Sequence, residues 1–356
     1  MKTIKIGNRL VGEEHLPYYV ADIGANHDGN LERAFQLIER AKEAGADAAK
    51  FQNFQAEKIV SKFGFDNLQG KLSHQAKWDK SVFEVYKDAS VSFDWTAKLK
   101  EKCNEVGIDY FTSPYDFESV NNIDQYVDLY KIGSGDITWL DIIKHIAKKG
   151  KPVLLATGAS NMQEVVLAMN VLEAFNSEIV LMQCNTNYTL DSEKYKFVNL
   201  NVLKTFSARF PNVVLGLSDH TLGHSTVLGA IALGARVIEK HFTDDNTRNG
   251  PDHKFAMNPQ TWRDMVTFSN EVYFALGDGI KRLEENEKES IVVQRRALRA
   301  TCDIKSGQTI NISDLESLRP IPSDGFAPFE LELVLGKTLK RDILKGEHIS
   351  KNDLNI

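Results

Sequence analysis

Short apolar runs rich in β-branched and aromatic residues recur along the chain. They lie at residues 18–24 (YYVADIG), 47–54 (DAAKFQNF), 108–114 (IDYFTSP), 129–135 (LYKIGSG), 152–158 (PVLLATG), 179–184 (IVLMQC), 213–220 (VVLGLSDH) and 237–243 (VIEKHFT). Stretches with helical apolar spacing alternate with them. Leu31 to Ala44 carries Ala34, Phe35, Leu37, Ile38 and Ala41 on one stripe. Trp95–Val106, Leu140–Ala147, Met162–Phe175, Leu200–Phe206, Ser225–Ala235 and Trp262–Leu276 repeat the pattern. Eight strands alternating with seven such helical stretches over roughly 260 residues predict an α/β fold of the (β/α)8 TIM-barrel type. A doubly wound sheet is the alternative, but it calls for a glycine-rich nucleotide fingerprint after the first strand. Gly24-Ala-Asn-His-Asp-Gly29 is not one.

Two stretches break the rhythm. Residues 56–91 are too long for a simple connection, so they predict either a binding loop or a short rim helix packed by Trp78, Phe83 and Tyr86. The run Lys281-Arg-Leu-Glu-Glu-Asn-Glu-Lys-Glu reads as a solvated linker. Turn signals are dense beyond it, at Asp303-Ile-Lys-Ser-Gly, Pro320-Ile-Pro-Ser-Asp-Gly and Lys345-Gly. The expected organisation is therefore a barrel over 1–280, a linker over 281–295 and a small, mainly β domain over 296–356. A domain of about 60 residues is marginal alone, so a surface to pack against is expected.

Composition narrows the function classes. With 356 residues and 42% apolar content, the chain can bury a large core. A net charge of −6 argues against a nucleic-acid or anionic-membrane partner. The cysteines Cys103, Cys184 and Cys302 are dispersed and odd in number, so no disulfide framework is expected. Residues 1–16 lack a signal-peptide pattern, and no apolar run spans a bilayer. A cytoplasmic protein is expected.

Candidate chemistry gathers at the strand ends. Two consecutive strands each finish in a histidine, His220 and His241, which parallel pairing would set side by side where barrels keep their sites. Paired imidazoles near carboxylates suit Mn²⁺, Co²⁺ or Zn²⁺; the plainer reading is two capping histidines. Strand parity puts Lys50 with Gln52, Ser218 with His220, and Glu239 one layer below His241. Asp22 ends the first strand; Lys131, Ser134 and Asp136 lie in KIGSGD; Ser113, Thr157, Thr186 and Tyr188 close the others. Thr157 reads most simply as a helix N-cap. Two inward, unpaired ammonium groups would be costly, so a bound anion, most simply phosphate, is expected. Phosphate with metal on a barrel points to phosphoenolpyruvate chemistry or a metal-assisted aldol reaction. A Schiff-base aldolase using Lys50 or Lys131 is an alternative, as is a non-enzymatic ice- or carbohydrate-binding protein.

The motifs IGANHDG, KFQ, KIGSGD, ATG, GLSDHT, EKHFT and NGPDHKFAMNP occur in an order that resembles the sialic acid synthase family, the N-acetylneuraminate and related nonulosonate synthases. Residues 296–356 resemble its C-terminal antifreeze-like (SAF) domain. The resemblance implies condensation of phosphoenolpyruvate with an N-acylated hexosamine aldose, N-acetylmannosamine or a diacetamido analogue, to a nine-carbon 2-keto acid plus phosphate. It implies His220 and His241 as metal ligands, with Mn²⁺ first and Mg²⁺ or Co²⁺ as alternatives. Lys50, Ser113, Lys131, Ser134, Thr186 and Ser218 match positions that hold phosphoenolpyruvate. Asp22, Gln52, Tyr188 and Asp252 match sugar-binding positions, and Asp136 an acidic residue that handles water or protons. The catalytic set is thus Asp22, Lys50, Lys131 and Asp136. Arg319 matches an arginine that reaches the partner's site in a domain-swapped homodimer. Three departures bear on the substrate: Asp22 replaces the usual Glu, Ala156 stands where relatives carry Ser, and no proline follows Tyr188. GPDHKF resembles the neuraminate and legionaminate branches more than the pseudaminate branch.

Overall fold

The computed structural model describes residues 3–68, 75, 78, 80–188, 190 and 192–355. The chain divides into two compact units, Met1–Gly277 and Asp278–Ile356. In the first, a hairpin of β1 (Thr3–Ile6) and β2 (Arg9–Gly12) precedes a closed parallel barrel. The barrel strands are β3 (Tyr18–Asp22), β4 (Ala48–Asn53), β5 (Asp109–Pro114), β6 (Tyr130–Ile132), β7 (Val153–Ala156), β8 (Ile179–Cys184), β9 (Val214–Asp219) and β10 (Ala235–His241), with β10 closing on β3. The (β/α)8 architecture expected from the apolar rhythm is the one observed.

The helices are α1 (Leu31–Glu43), α2 (Ala56–Ile59), α3 (Lys62–Asp66), α4 (Val82–Ala89), α5 (Phe93–Val106), α6 (Phe117–Ile123), α7 (Leu140–Ala147), α8 (Met162–Glu173), α9 (Val202–Arg209), α10 (Ser225–Ala232) and α11 (Pro259–Leu276). Their starts follow cap chemistry. The side chains of Asn30, Asn161 and Asn258 accept first-turn N–H groups of α1, α8 and α11. Thr157 is not a cap, contrary to expectation: its hydroxyl donates to the Met182 carbonyl at 2.9 Å. The long connection after β4 supplies α2, α3 and α4, with Tyr86 of α4 packed 5.4 Å from the Phe54 ring. Residues 69–74, 76, 77 and 79 of that connection lie outside the described residues.

The N-terminal hairpin, which sequence reading did not identify, plugs one end of the barrel. Ile4, Ile6 and Val11 are buried in the barrel's own core. Arg9 pairs with Asp47 and donates to the Pro17 carbonyl at 2.9 Å, anchoring the hairpin just before β3 and β4. The carboxyl ends of the strands lie at the opposite end.

The second unit begins with a charged stretch that holds a helix, α12 (Lys288–Gln294), within residues read from composition as plain linker. β11 (Ala297–Ala300) and β12 (Leu315–Leu318) pair antiparallel over a small core of its own that includes Leu298, Ile310, Val334, Leu339 and Ile349. Among the described residues no helix is long and apolar enough to cross a membrane.

On the outer face of β9 and β10, the register partners Asp219 and Lys240 form a buried ion pair. The Asp219 carboxylate also accepts from Thr221 and Thr226 hydroxyls at 2.8 and 2.7 Å. Lys240 Nζ donates to the Thr221 carbonyl at 2.7 Å, pinning the loop that carries His220. Burial would raise the Asp219 carboxyl, but Lys240 and the threonine bonds hold it down at about 2. Its contribution to stability is present above the unfolded value near 4 and is lost as pH falls through about 2. Lys240→Met, which leaves the carboxylate buried and uncompensated, should cost about 3–5 kcal/mol in urea unfolding. Asp219→Asn combined with Lys240→Met should recover much of that loss.

Candidate active site

Strand register assembles the site. Asp22, the last residue of β3, is the register partner of both Lys50 on β4 and His241 on β10. Gln52 pairs with Ser113 on β5, and Ser218 on β9 with Glu239 on β10. In a parallel barrel these positions stack at the carboxyl ends of the strands, and residues two apart share a face.

The deepest layer is a network of buried charges. Lys50 Nζ lies 2.8 Å from Asp22 Oδ2 and 3.7 Å from Glu239 Oε1. Lys131 Nζ donates to the same Glu239 oxygen at 2.7 Å, and the Ser218 hydroxyl approaches it at 3.4 Å. Contrary to the expectation of unpaired ammonium groups, both lysines are closed on carboxylates. The difference is Glu239, which parity placed in the right layer but whose reach across the barrel to Lys131 is invisible in sequence. Burial works against both charges of the Lys50–Asp22 pair. For Asp22 the Lys50 charge and hydrogen bond outweigh it and hold the carboxyl below its ordinary value. For Lys50 the Asp22 and Glu239 carboxylates outweigh it and hold the ammonium above its ordinary value.

What points to a ligand is instead a set of buried polar atoms without a hydrogen-bond partner. Asp22 Oδ1, Ser113 Oγ, Glu239 Oε2 and His241 Nδ1 are all of this kind, and they cluster on these same strand ends. Such atoms are costly unless something else satisfies them.

The two imidazole rings lie 5.6 Å apart. His220 Nδ1 faces the Asn185 carbonyl at 3.1 Å, which makes Nδ1 the donor and Nε2 the nitrogen left for a metal. His241 sits between two carboxylates, 3.6 Å from Asp22 and 3.6 Å from Asp252. Burial holds His241 below its ordinary value despite them, so the neutral ring is favoured. Two imidazoles with an adjacent carboxylate are the donor types that a borderline divalent cation takes. Among the described residues no group of three or more His, Cys, Asp or Glu is placed to hold a metal ion, so these two imidazoles would supply only part of a coordination shell. The Tyr188 ring packs 4.4 Å from His220 and 5.3 Å from Phe255, an aromatic wall of which only Tyr188 was expected.

Two glycines make the convergence possible. A Cβ on Gly24, which has φ +50°, would meet Asp252, His241 and Gln52 at 2.9, 3.2 and 3.3 Å. A Cβ on Gly158 would overlap the Thr186 hydroxyl and stand 2.9 Å from Ser134 Oγ and 3.0 Å from Cys184 Sγ. Ser134 Oγ accepts the Gly158 N–H at 2.9 Å, so Ser134 and Thr186 meet over that backbone. Gln52 Nε2 donates to Asp22 at 3.1 Å, and Asp252 accepts from the Ala25 N–H at 3.3 Å. Asp136 follows in the turn after β6, and burial raises its carboxyl to about 6. The barrel ends thus bring together every expected site residue except one. Arg319 belongs to the second unit, where it is exposed and has no ion pair or hydrogen bond among the described residues.

Comparison with known proteins gives this constellation a lineage. The NeuB family pattern matches residues 37–281, most of the barrel, and a SAF domain matches residues 295–355. The chain belongs to the NeuB family. It is 34% identical to the N,N'-diacetyllegionaminic acid synthase of Campylobacter jejuni, over 93% of this chain and 98% of that protein. It is 31% identical to the human N-acetylneuraminate-9-phosphate synthase, over 92% and 90%. Among solved structures, the N-acetylneuraminic acid synthetase of Leptospira borgpetersenii, in complex with citrate, superposes with a TM-score of 0.71 at 27% identity. That match covers 82% of this chain and 95% of the other. The NeuB-family barrel and its SAF domain match the resemblance read from the motifs.

Asp136 supplies a test independent of turnover. Its carboxyl should titrate near pH 6 in carbon-13 NMR, and the resonance should vanish in Asp136→Asn. Because the folded value exceeds the unfolded one, wild-type stability should rise as pH falls from about 6 toward 4, and Asp136→Asn should lose that rise. A midpoint below 4.5 would contradict the assignment.

Proposed function

We propose that this barrel condenses phosphoenolpyruvate with an N-acylated hexosamine aldose, giving a nine-carbon 2-keto acid and phosphate. The observation that carries the reading is the pair of buried lysines, Lys50 and Lys131, beside unsatisfied Ser113 Oγ and His241 Nδ1 at one barrel mouth. Lys50 and Lys131 would face the phosphate and carboxylate of phosphoenolpyruvate, with Ser113, Ser134, Thr186 and Ser218 completing its hydrogen bonds. Asp22, Gln52, Tyr188 and Asp252 would orient the sugar. A divalent metal, Mn²⁺ first and Mg²⁺ or Co²⁺ as alternatives, would be held by His220 and His241; when bound it supplies Lewis-acid polarisation of the aldehyde oxygen.

The atoms balance as follows. Carbon 3 of phosphoenolpyruvate bonds to the aldehyde carbon, whose oxygen gains a proton. Water adds to carbon 2; as the bond from that carbon to the phosphate oxygen breaks, the added oxygen becomes the ketone, and the two water protons end on the former aldehyde oxygen and on the released phosphate. Asp136, with its carboxyl near 6, is suited to accept the proton that water loses. A Schiff-base aldolase is disfavoured because its lysine must shed a proton to act as a nucleophile. Lys50 is held charged by Asp22 and Glu239, and Lys131 is paired with Glu239 at 2.7 Å.

The deciding assay is phosphate release from phosphoenolpyruvate that depends on an N-acyl aldose. Excess EDTA should abolish it and Mn²⁺ restore it, while His220→Ala and His241→Ala should each lower kcat by at least about 100-fold. Full turnover in EDTA would refute the metal role.

The SAF unit suggests a further contribution in trans: Arg319 completing the sugar site of the other subunit in a swapped homodimer. Arg319→Ala should weaken sugar use while leaving metal binding intact. Mixing Arg319→Ala with His220→Ala subunits should restore activity above either parent, because each mixed dimer regains one intact site. Subunit exchange without recovery would place Arg319 outside the reaction.

A further inference from the structure

The segment joining β10 to α11, residues 242–258, forms no helix or strand, yet it carries Asp252 into the site. Asp252 borders, with Gln52 and His241, a cavity of about 170 Å³ at the strand ends. Its own contacts there are long: 3.3 Å to the Ala25 N–H and 3.6 Å to His241 Nδ1. Contacts of that length do not by themselves fix a carboxylate on an irregular segment. The firmer hold comes from the next residue.

His253 is fully buried, with a partner at each ring nitrogen. Nε2 lies 2.9 Å from Asp28 Oδ1, and Nδ1 lies 2.7 Å from the Thr243 hydroxyl. Asp28 belongs to the turn after β3 that also presents the Ala25 N–H, so Asp252 and His253 dock on one turn at two points. The backbone of Asp28 is left-handed, at φ +52°. Its other carboxylate oxygen accepts from Arg248 Nε at 2.8 Å and lies 3.1 Å from Arg33 Nε. Burial would raise the Asp28 carboxyl, but the His253 and Arg248 hydrogen bonds hold it below its ordinary value. The nitrogen facing this carboxylate is therefore a donor. Gly250 lies flat against the contact, because a Cβ there would stand 2.7 Å from the His253 ring and 3.6 Å from Asp28 Oδ1.

We infer that His253 is a positioning residue: through its bond to Asp28 it sets the Asp252 carboxylate against His241 and the Ala25 N–H. The inference rests on the sugar role proposed above for Asp252. Neither His253 nor Asp28 is among the described residues that line the cavity, so both act through Asp252. Misplacing a binding group by about 1 Å costs a reaction on the order of 100-fold.

The test uses the full-length protein and two substitutions that separate the bonds of the imidazole. In His253→Gln the amide nitrogen reaches as far as Nε2 and keeps the bond to Asp28. In His253→Asn it reaches only as far as Nδ1 and loses that bond. The assay is phosphate release with Mn²⁺, phosphoenolpyruvate and either N-acetylmannosamine or its 2,4-diacetamido analogue, whichever the wild type turns over faster. His253→Asn should lower kcat/KM for the aldose about 10- to 100-fold and leave the KM for phosphoenolpyruvate within about twofold. His253→Gln should recover most of that loss. Combining His253→Asn with Asp252→Ala should add nothing to the loss from Asp252→Ala alone, whereas a plain packing role would give additive losses. Amide exchange gives a readout without turnover: the Ala25 N–H, bonded to Asp252, should exchange at least about tenfold faster in His253→Asn and near the wild-type rate in His253→Gln. If near-ultraviolet circular dichroism shows His253→Asn unfolded, Gly250→Ala, at an exposed position, wedges the ring away from Asp28 and should give the same losses. Additive losses, equal activity in the Asn and Gln variants, or unchanged exchange at Ala25 would each overturn the inference and leave the condensation standing. If the wild type releases no phosphate with either aldose, the condensation falls, and exchange at Ala25 alone decides whether His253 positions Asp252.

Discussion

Two carboxylates and two ammonium groups share the mouth of this barrel with almost no access to water, and the site is built around that fact. Each charge alone would carry a desolvation cost of several kcal/mol. Together, Asp22, Lys50, Glu239 and Lys131 form an alternating chain across three sides of the barrel, on β3, β4, β10 and β6. The arrangement holds both lysines in place at the strand ends. It also leaves acceptors over, at Asp22 Oδ1 and Glu239 Oε2, so the network is neutralised without being saturated.

Backbone geometry matters as much as charge. The functional side chains come from seven strands and the turns after them, so they can converge only where the chain itself gives way. Gly24 and Gly158 are those places. One lets Asp252, His241 and Gln52 meet, and the other lets Ser134 and Thr186 meet. Outside the barrel wall, Asp219 and Lys240 hold the segments carrying His220 and His241 from behind. The imidazoles are thus fixed on both faces of the sheet.

The fold was largely legible in sequence because each barrel strand is a short buried run bounded by turns, and each helix an amphipathic stripe. The ends of α7, for instance, follow directly from Leu140 and Ala147. The hairpin over 3–12 was missed because its charged residues drown a weak alternation, Ile4, Ile6 and Val11, that gains meaning only against the barrel's underside. In the site, residues on strands were readable from parity, as Lys50, Ser218 and His241 illustrate. Partnerships across the barrel were not. Glu239 meets Lys131 from 108 positions away in the chain, and nothing local to either announces the other. Phe54 and Tyr115, which line a cavity, and Phe255, which packs on Tyr188, were missed for a related reason: aromatic residues after strands look like core until their neighbours are seen.

The hairpin that plugs the underside has a consequence for traffic. With Ile4, Ile6 and Val11 filling that end, the vessel has one opening. In the condensation proposed above, the anion would sit in the charged layer at its bottom and the sugar in the cavity above it. A small anionic reactant would then have to enter before the bulkier sugar, and the phosphate released below would leave only after the cavity had cleared.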